Sequence, residues 1–253
     1  MKKATTQKLE VRSQRSDIRF FTNFLLLISC FLLLIFFPLS CSTRKTAEPA
    51  TGTHGGMLTL ASTADPKSFN PILAKETSTT DALTFIFEGL TRQNGITTDV
   101  DPNLAESWDI SKDGLVWTFH LRKDVKWSDG IPFTADDVVF TFNKLIYNPD
   151  IPTSSRDVMT IEGKVPNVEK IDTYTVQFIL PKPFAPFLRL LTQEILPKHK
   201  LESIIAAGAD KFNSAWGLDT PPSEIVGTGP FVLKQYVPSQ RLVYERNTTY
   251  WKK

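Results

Sequence analysis

Residues 104–143 read LAESWDISKDGLVWTFHLRKDVKWSDGIPFTADDVVFTFN, and their periodicity sets the fold class. SWDI (107–110) and LVWTFHL (115–121) flank the Gly-containing turn SKDG, which predicts a β-hairpin. Leu115, Trp117, Phe119 and Leu121 fall on one face of the second strand, with Thr118 and His120 on the other. Thr134 opens TADD, a capping-box pattern with Asp in place of the preferred Glu. Val138, Val139, Phe142, Leu145 and Ile146 then line one side of a helix. Between hairpin and helix lies HLRKDVKWSDG (120–130), where Arg122, Lys123 and Lys126 alternate with Asp124 and Asp129. Nothing in this nearly neutral stretch converges on a reactive atom. It reads as a structural corner, with Trp127 a buried cover whose N–H finds one acceptor.

The same reasoning extends outward. MLTLAS (57–62) alternates like a strand, and TADPKSFNP after it is a turn-rich loop. A helix is predicted from near Ser78, with Leu83, Ile86, Phe87 and Leu90 on one face. VPNVEKI and YTVQFIL form a second hairpin about Asp172-Thr173. PKPFAPFLRLL starts a short helix after Pro183, residues 197–207 are helical, and PFVLKQYV and RLVYERN make a third hairpin joined by PSQ. Several hairpins mixed with helices imply a mixed α/β (α+β) fold rather than a repetitive barrel.

Residues 1–40 hold six basic groups (Lys2, Lys3, Lys8, Arg12, Arg15, Arg19) and two acidic ones (Glu10, Asp17) of the chain's 29 and 27. The remainder is therefore slightly acidic, without the basic excess that nucleic-acid binding requires. FFTNFLLLISCFLLLIFFPL (20–39) carries no charge and follows the basic start, the order of an export signal. The run is also long enough to span a bilayer, and either reading places the body outside the cytoplasm. Cys41 ends PLSC and precedes a polar, small-residue tether, an order that resembles a bacterial lipoprotein signal with Cys41 as the lipidated residue. Pro38 stands where an aliphatic residue is usual. Cys30, in LISC, fits the local pattern better but would leave FLLLIFFPL beyond the lipid. The expected organisation is a signal peptide over 1–40, a lipidated tether over 41–55 and one domain over 56–253.

Catalytic and metal chemistry is not legible. His54, His120 and His199 lack metal-ligand spacing. Asp99, Asp101 and Asn103 begin like a calcium loop, but Leu104 and Ile110 occupy its sixth and twelfth positions. Asp136 and Asp137, adjacent in a first helical turn, serve the helix terminus rather than act as an acid/base pair. Asn247-Thr248-Thr249 is a glycosylation sequon by pattern alone. No cofactor or metal is expected.

Residues 104–143 closely resemble the signature region of the family 5 extracellular solute-binding proteins, receptors for peptides and related ligands in ABC importers. GGMLTLASTADPKSFNP (55–71), FEGLTR (87–92), GTGPFVLKQY (227–236) and ERNTTYW (245–251) resemble flanking motifs of that family in order. The resemblance implies a periplasmic-binding-protein-like class II clamshell, of which this chain carries mainly the first lobe. The resemblance implies a second lobe after the ERNxxYW region, and this chain is expected to lack it, as a fragment, as the product of a split or truncated gene, or with a second polypeptide supplying the rest. One wall alone would hold peptide no tighter than about millimolar, if half of a micromolar binding free energy were lost. The resemblance also implies non-catalytic capture of peptides and delivery to permease subunits of an ABC importer, while the export signal and Cys41 give the expected lipid anchor in the membrane and residence in the periplasm or at the cell surface. Carried over by position, Ser62, Thr63, Ala64 and Asp65 border the cleft, Phe69 and Asn70 follow in the same loop, and Thr228, Gly229 and Pro230 lie where the chain returns. Each has a structural alternative: Asp65-Pro66 and Asn70-Pro71 are turn formers, Phe69 suits a core, and Gly229 permits a tight turn. Competing functions are an exported hydrolase, an adhesion or sensing protein reusing the fold, and a receptor for a nickel chelate, sugar or haem.

Overall fold

The computed structural model describes residues 55–252. The export signal, Cys30, Cys41 and nearly all of the expected tether lie outside the described residues. The centre of the fold is an antiparallel sheet of order β3-β4-β6-β5, formed by β3 (Ala105–Ile110), β4 (Val116–Leu121), β5 (Asn167–Asp172) and β6 (Thr175–Ile179). Both predicted hairpins are there, with Trp108 opposite Phe119 and Val168 opposite Phe178. The second turns at Thr173-Tyr174, because pairing of Asp172 with Thr175 keeps β5 in the ladder one residue longer than expected.

Alternation in β4 sorts side chains as predicted. Trp117, Phe119 and Leu121 are buried, while Val116, Thr118 and His120 are half-buried. The inner face collects an aromatic cluster in edge-on contact, Phe119 on Phe178 at 5.6 Å and Phe142 on Phe178 at 4.9 Å. Such pairs add about 0.5–1.5 kcal/mol beyond their buried area.

Helix α2 (Ala135–Phe140) begins with the expected capping box. The Asp137 carboxylate accepts the Thr134 N–H at 2.9 Å, and the Thr134 hydroxyl accepts from the Asp136 N–H at 3.3 Å. The helix widens into a π turn over Thr141–Ile146. There the Thr141 hydroxyl donates to the Asp137 carbonyl at 2.8 Å and accepts the Leu196 N–H at 2.9 Å, so a neighbouring segment bonds at the place where the regular ladder is interrupted.

Smaller elements surround this layer. They are α1 (Thr77–Leu83), the pair β1 (Thr91–Gln93) and β2 (Val100–Pro102), α3 (Ser154–Met159), α4 (Phe187–Leu190), α5 (Lys198–Ala206), α6 (Ala209–Asn213), and the hairpin of β7 (Phe231–Val237) with β8 (Arg241–Arg246). Two expectations are corrected. Helix α1 stops at Leu83, yet Ile86, Phe87 and Leu90 are buried all the same, in a turn and extended chain. MLTLAS forms no strand: Met57, Leu58 and Leu60 are 92%, 82% and 63% exposed. Alternation creates a strand only where a second strand completes the ladder, and none does so among the described residues.

Candidate functional site

The loop after residue 60 has an outer and an inner half. Ser62, Thr63 and Ala64 are exposed, and Asp65 is half-buried. The N–H groups of Thr59 through Ala64 make no hydrogen bond among the described residues, whereas the Ala64 carbonyl accepts from the Ser62 hydroxyl at 2.9 Å. Asp65 is the anchor. Its Oδ2 accepts the Tyr236 hydroxyl at 3.1 Å and the Ser239 N–H at 2.7 Å, and its carbonyl accepts the Ser78 hydroxyl at 3.0 Å. Desolvation raises the Tyr236 pKa, and the hydrogen bond and charge of Asp65 raise it further, so the phenol stays a donor. The inner half is core. Phe69 is 1% exposed, its N–H donates to the Trp216 carbonyl at 2.7 Å, and its ring meets Tyr236 edge-on at 5.5 Å. Asn70 is wholly buried, with its amide on the Phe212 carbonyl at 3.3 Å and its Oδ1 on the Ile72 N–H at 3.1 Å. The structure therefore does not bring the Phe69 and Asn70 side chains to the surface that Ser62, Thr63 and Ala64 present.

Residues 227–230 lie against the chain that leaves α1. The Gly229 N–H donates to the Ile86 carbonyl at 2.8 Å, and the Phe231 N–H to the Phe85 carbonyl at 3.0 Å. The approach is too close for a side chain: a Cβ on Gly227 would lie 2.0 Å from the Ile86 oxygen, and one on Gly229 2.6 Å from the Phe85 oxygen. Gly229 is thus required by contact rather than by a turn. Thr228 is wholly buried, and its hydroxyl makes no hydrogen bond among the described residues. Pro230 is half-buried, and its carbonyl accepts the Asn247 N–H at 2.8 Å. The Asn247 amide donates to the Gly229 carbonyl at 2.8 Å, which gives the sequon asparagine a structural task. Both predicted segments are attached to one hairpin, the first through Tyr236 and the second by running directly into β7.

Other motifs resolve as supports. Asp137 accepts from the Thr134 and Lys198 amides and the Trp127 indole, and the Ser128 N–H ties this corner to the Gly227 carbonyl at 2.9 Å. Glu88 accepts the Tyr250 hydroxyl and the Trp251 indole N–H, both at 3.0 Å, while Arg122 lies 4.5 Å over the Trp251 ring. FEGLTR and ERNTTYW meet there. Burial pushes the Glu88 carboxyl above its usual range against these donors. Sequence reading missed Tyr236 and Glu88 as organising residues, because each bonds a partner more than 160 positions away and no local pattern marks it.

Among the described residues no group of three His, Cys, Asp or Glu side chains is gathered for a metal, and no helix is long and apolar enough to cross a membrane. Asp101 is engaged by Arg92 at 3.3 Å. Each described imidazole, His120 and His199, meets a carboxylate at 2.8 Å, Asp109 and Asp129 respectively. A depression of about 470 Å³ on the outer face of the sheet is lined by Glu106, His120, Lys123 and Tyr174 among others, and by none of the nine predicted residues.

Comparison with known proteins adds an independent line. Residues 99–253 match the model of the bacterial extracellular solute-binding proteins, family 5 Middle. The dipeptide-binding protein of Escherichia coli is 37% identical over 219 residues, covering 80% of this chain and 39% of that protein. The periplasmic binding protein DppA from Helicobacter pylori, solved in complex with the peptide STSA, superposes with a TM-score of 0.62 at 30% identity, over 75% of this chain and 39% of that one. NikZ from Campylobacter jejuni, solved with Ni(L-His), gives 0.60 at 32% identity, over 75% and 35%. The chain spans under two fifths of the length of these relatives, and its mixed α/β fold corresponds to part of theirs.

Proposed function

The chain belongs to the family 5 bacterial extracellular solute-binding proteins, and on that premise we propose that it captures peptides outside the cytoplasmic membrane and delivers them to the permease subunits of an ABC importer, without catalysis. The observation that carries this reading is the run of backbone N–H groups from Thr59 to Ala64 that make no hydrogen bond among the described residues, ending at the small, exposed side chains Ser62, Thr63 and Ala64. Such a run pairs with any extended peptide through main-chain hydrogen bonds and demands no particular ligand side chain. Thr228, Gly229 and Pro230 run into β7, the strand whose Tyr236 holds Asp65, and the buried Phe69 and Asn70 fix the inner half of the same loop. Asp65 stands at the border between the two. The compartment is the periplasm or the cell surface, with Cys41 as the lipid anchor.

The test is native mass spectrometry of the protein purified from its own cells, followed by titration with a panel of di- to pentapeptides. Where a second lobe completes the cleft, co-purified peptides that are displaced by the panel are the expected result, and for this chain alone, panel binding no tighter than about millimolar. A co-purified nickel chelate, sugar or haem, with no response to the panel, would replace peptide as the solute. Hydrolysis of the panel that is lost on a point mutation would overturn the receptor reading.

A further inference from the structure

We propose that Asp65 is a positioning residue of this wall: held by Tyr236 and Ser239, its carboxylate fixes the unbonded backbone of residues 59–64 and does not itself touch peptide. The inference rests on the reading that residues 59–64 receive the ligand, and it assigns the part of the fold that sets their geometry.

Among the described residues, 59–64 have no ladder partner, so their direction is set at the first fixed point, Asp65. Helix α1 holds the segment from one side, with the Ser78 hydroxyl on the Asp65 carbonyl at 3.0 Å and the Thr79 hydroxyl accepting the Lys67 N–H at 2.9 Å, and neither bond touches the Asp65 carboxylate. The two bonds to Oδ2 come from a different element, the tip of the β7–β8 hairpin. Ser239 has φ +56° there, the left-handed conformation in which its N–H is presented to the carboxylate. Tyr236 holds both ends of the short loop at once, its hydroxyl on Asp65 and its ring against Phe69. The hairpin is itself fixed, through the Phe231 N–H on the Phe85 carbonyl and through pairing along β8. The frame on one side of Asp65 is therefore rigid, and the chain on the other side takes its orientation from that frame.

The alternative role for Asp65 is direct capture of a cationic group, such as a peptide amino terminus, by the carboxylate oxygen that neither donor uses. The two roles differ in what they need. Positioning needs an oxygen acceptor, and capture needs the negative charge. In the native protein, Asp65→Asn keeps an oxygen for both donors, Asp65→Ala removes it, and Tyr236→Phe removes one donor while keeping the ring. Positioning predicts that Asp65→Asn binds the peptide panel within about threefold of wild type, while Asp65→Ala and Tyr236→Phe each weaken binding about tenfold, the scale of one charge-assisted hydrogen bond. The double variant should be no weaker than Asp65→Ala alone, because the two residues share one interaction. A nitroxide carried on a noncanonical residue at Thr63 supplies a readout without peptide: its spectrum should sharpen in Asp65→Ala and Tyr236→Phe and stay broad in Asp65→Asn. Binding in Asp65→Asn as poor as in Asp65→Ala would show that the charge meets ligand and overturn the proposal. An unchanged nitroxide spectrum in Asp65→Ala would overturn it as well, whether or not peptide binds. Failure of the wild-type protein to bind any peptide of the panel, with the nitroxide response intact, would instead refute the peptide reading and leave the positioning role standing.

Discussion

The indole N–H of Trp127 donates to the carboxylate of Asp137 at 3.3 Å, across the turn that joins the first hairpin to helix α2. That carboxylate also accepts the Thr134 N–H at 2.9 Å and the Lys198 N–H at 3.0 Å. A single buried acid thus closes a helix cap, a tryptophan and the start of α5. Trp127 is fully buried, with its ring against Phe133 at 6.0 Å and His199 at 6.2 Å.

Truncating that ring removes the packing and one of the donors that compensate a buried carboxylate. Trp127→Ala should cost about 3–5 kcal/mol of stability, with a clear fall in Tm by circular dichroism. Trp127→Phe should cost less, because it keeps most of the apolar volume. A Trp127→Ala protein of normal Tm that fails only in ligand binding would assign this corner to the site.

Stability should fall as pH rises above about 4. Burial raises the carboxyl pKa values of Glu88 and Glu194 above 4.5 and that of Asp137 above 3.8. Between those values and the raised ones, the folded chain holds more protons than the unfolded chain. The stabilisation is thus complete below the unfolded values and is lost as pH rises through the folded ones. Asp113, lowered first by the Ser111 hydroxyl, and Asp172, lowered first by the Tyr174 N–H, titrate below this window. Urea unfolding from pH 4 to 7 should show the decline, and Glu88→Gln should flatten it. An equally steep decline in that variant would remove Glu88 as a contributor.

Glycine at 227 is required by a carbonyl rather than by a dihedral angle. Gly227→Ala should destabilise by about 1–3 kcal/mol or more, the cost of overpacking against backbone that cannot rotate away. Gly95→Ala, which meets nothing within 4 Å, should change stability by less than about 0.5 kcal/mol. Paired thermal melts of the two variants make the comparison, and equal Tm values would contradict the close approach to Ile86.

Lipidation is separable from all of this. Cys41→Ser should leave an uncleaved precursor and abolish labelling by a fatty-acid analogue in cells, while Cys30→Ser should leave labelling intact. Labelling that survives in the Cys41 variant would move the anchor elsewhere.

What the residues determined unaided is local. The alternation of Trp117, Phe119 and Leu121 and the Thr134 cap are written within one strand and one helical turn. A period of two or an N-terminal hydroxyl acts over a few residues, whatever the rest of the chain does. The corner at Trp127 was legible for the same reason, although the identity of its acceptor was not. MLTLAS departs from its expected strand because a strand is a property of two segments, and its alternation has no partner among the described residues. Only the tertiary structure decided that Phe69 and Asn70 turn inward while Ser62, Thr63 and Ala64 turn out, that Gly227 must be bare, and that Asp65 answers to Tyr236, 171 positions later. A carboxylate and a phenol that far apart carry no mutual signal in one sequence. Their 3.1 Å separation exists only because the core beneath them, closed by Phe69 and Trp216, fixes where both chains pass.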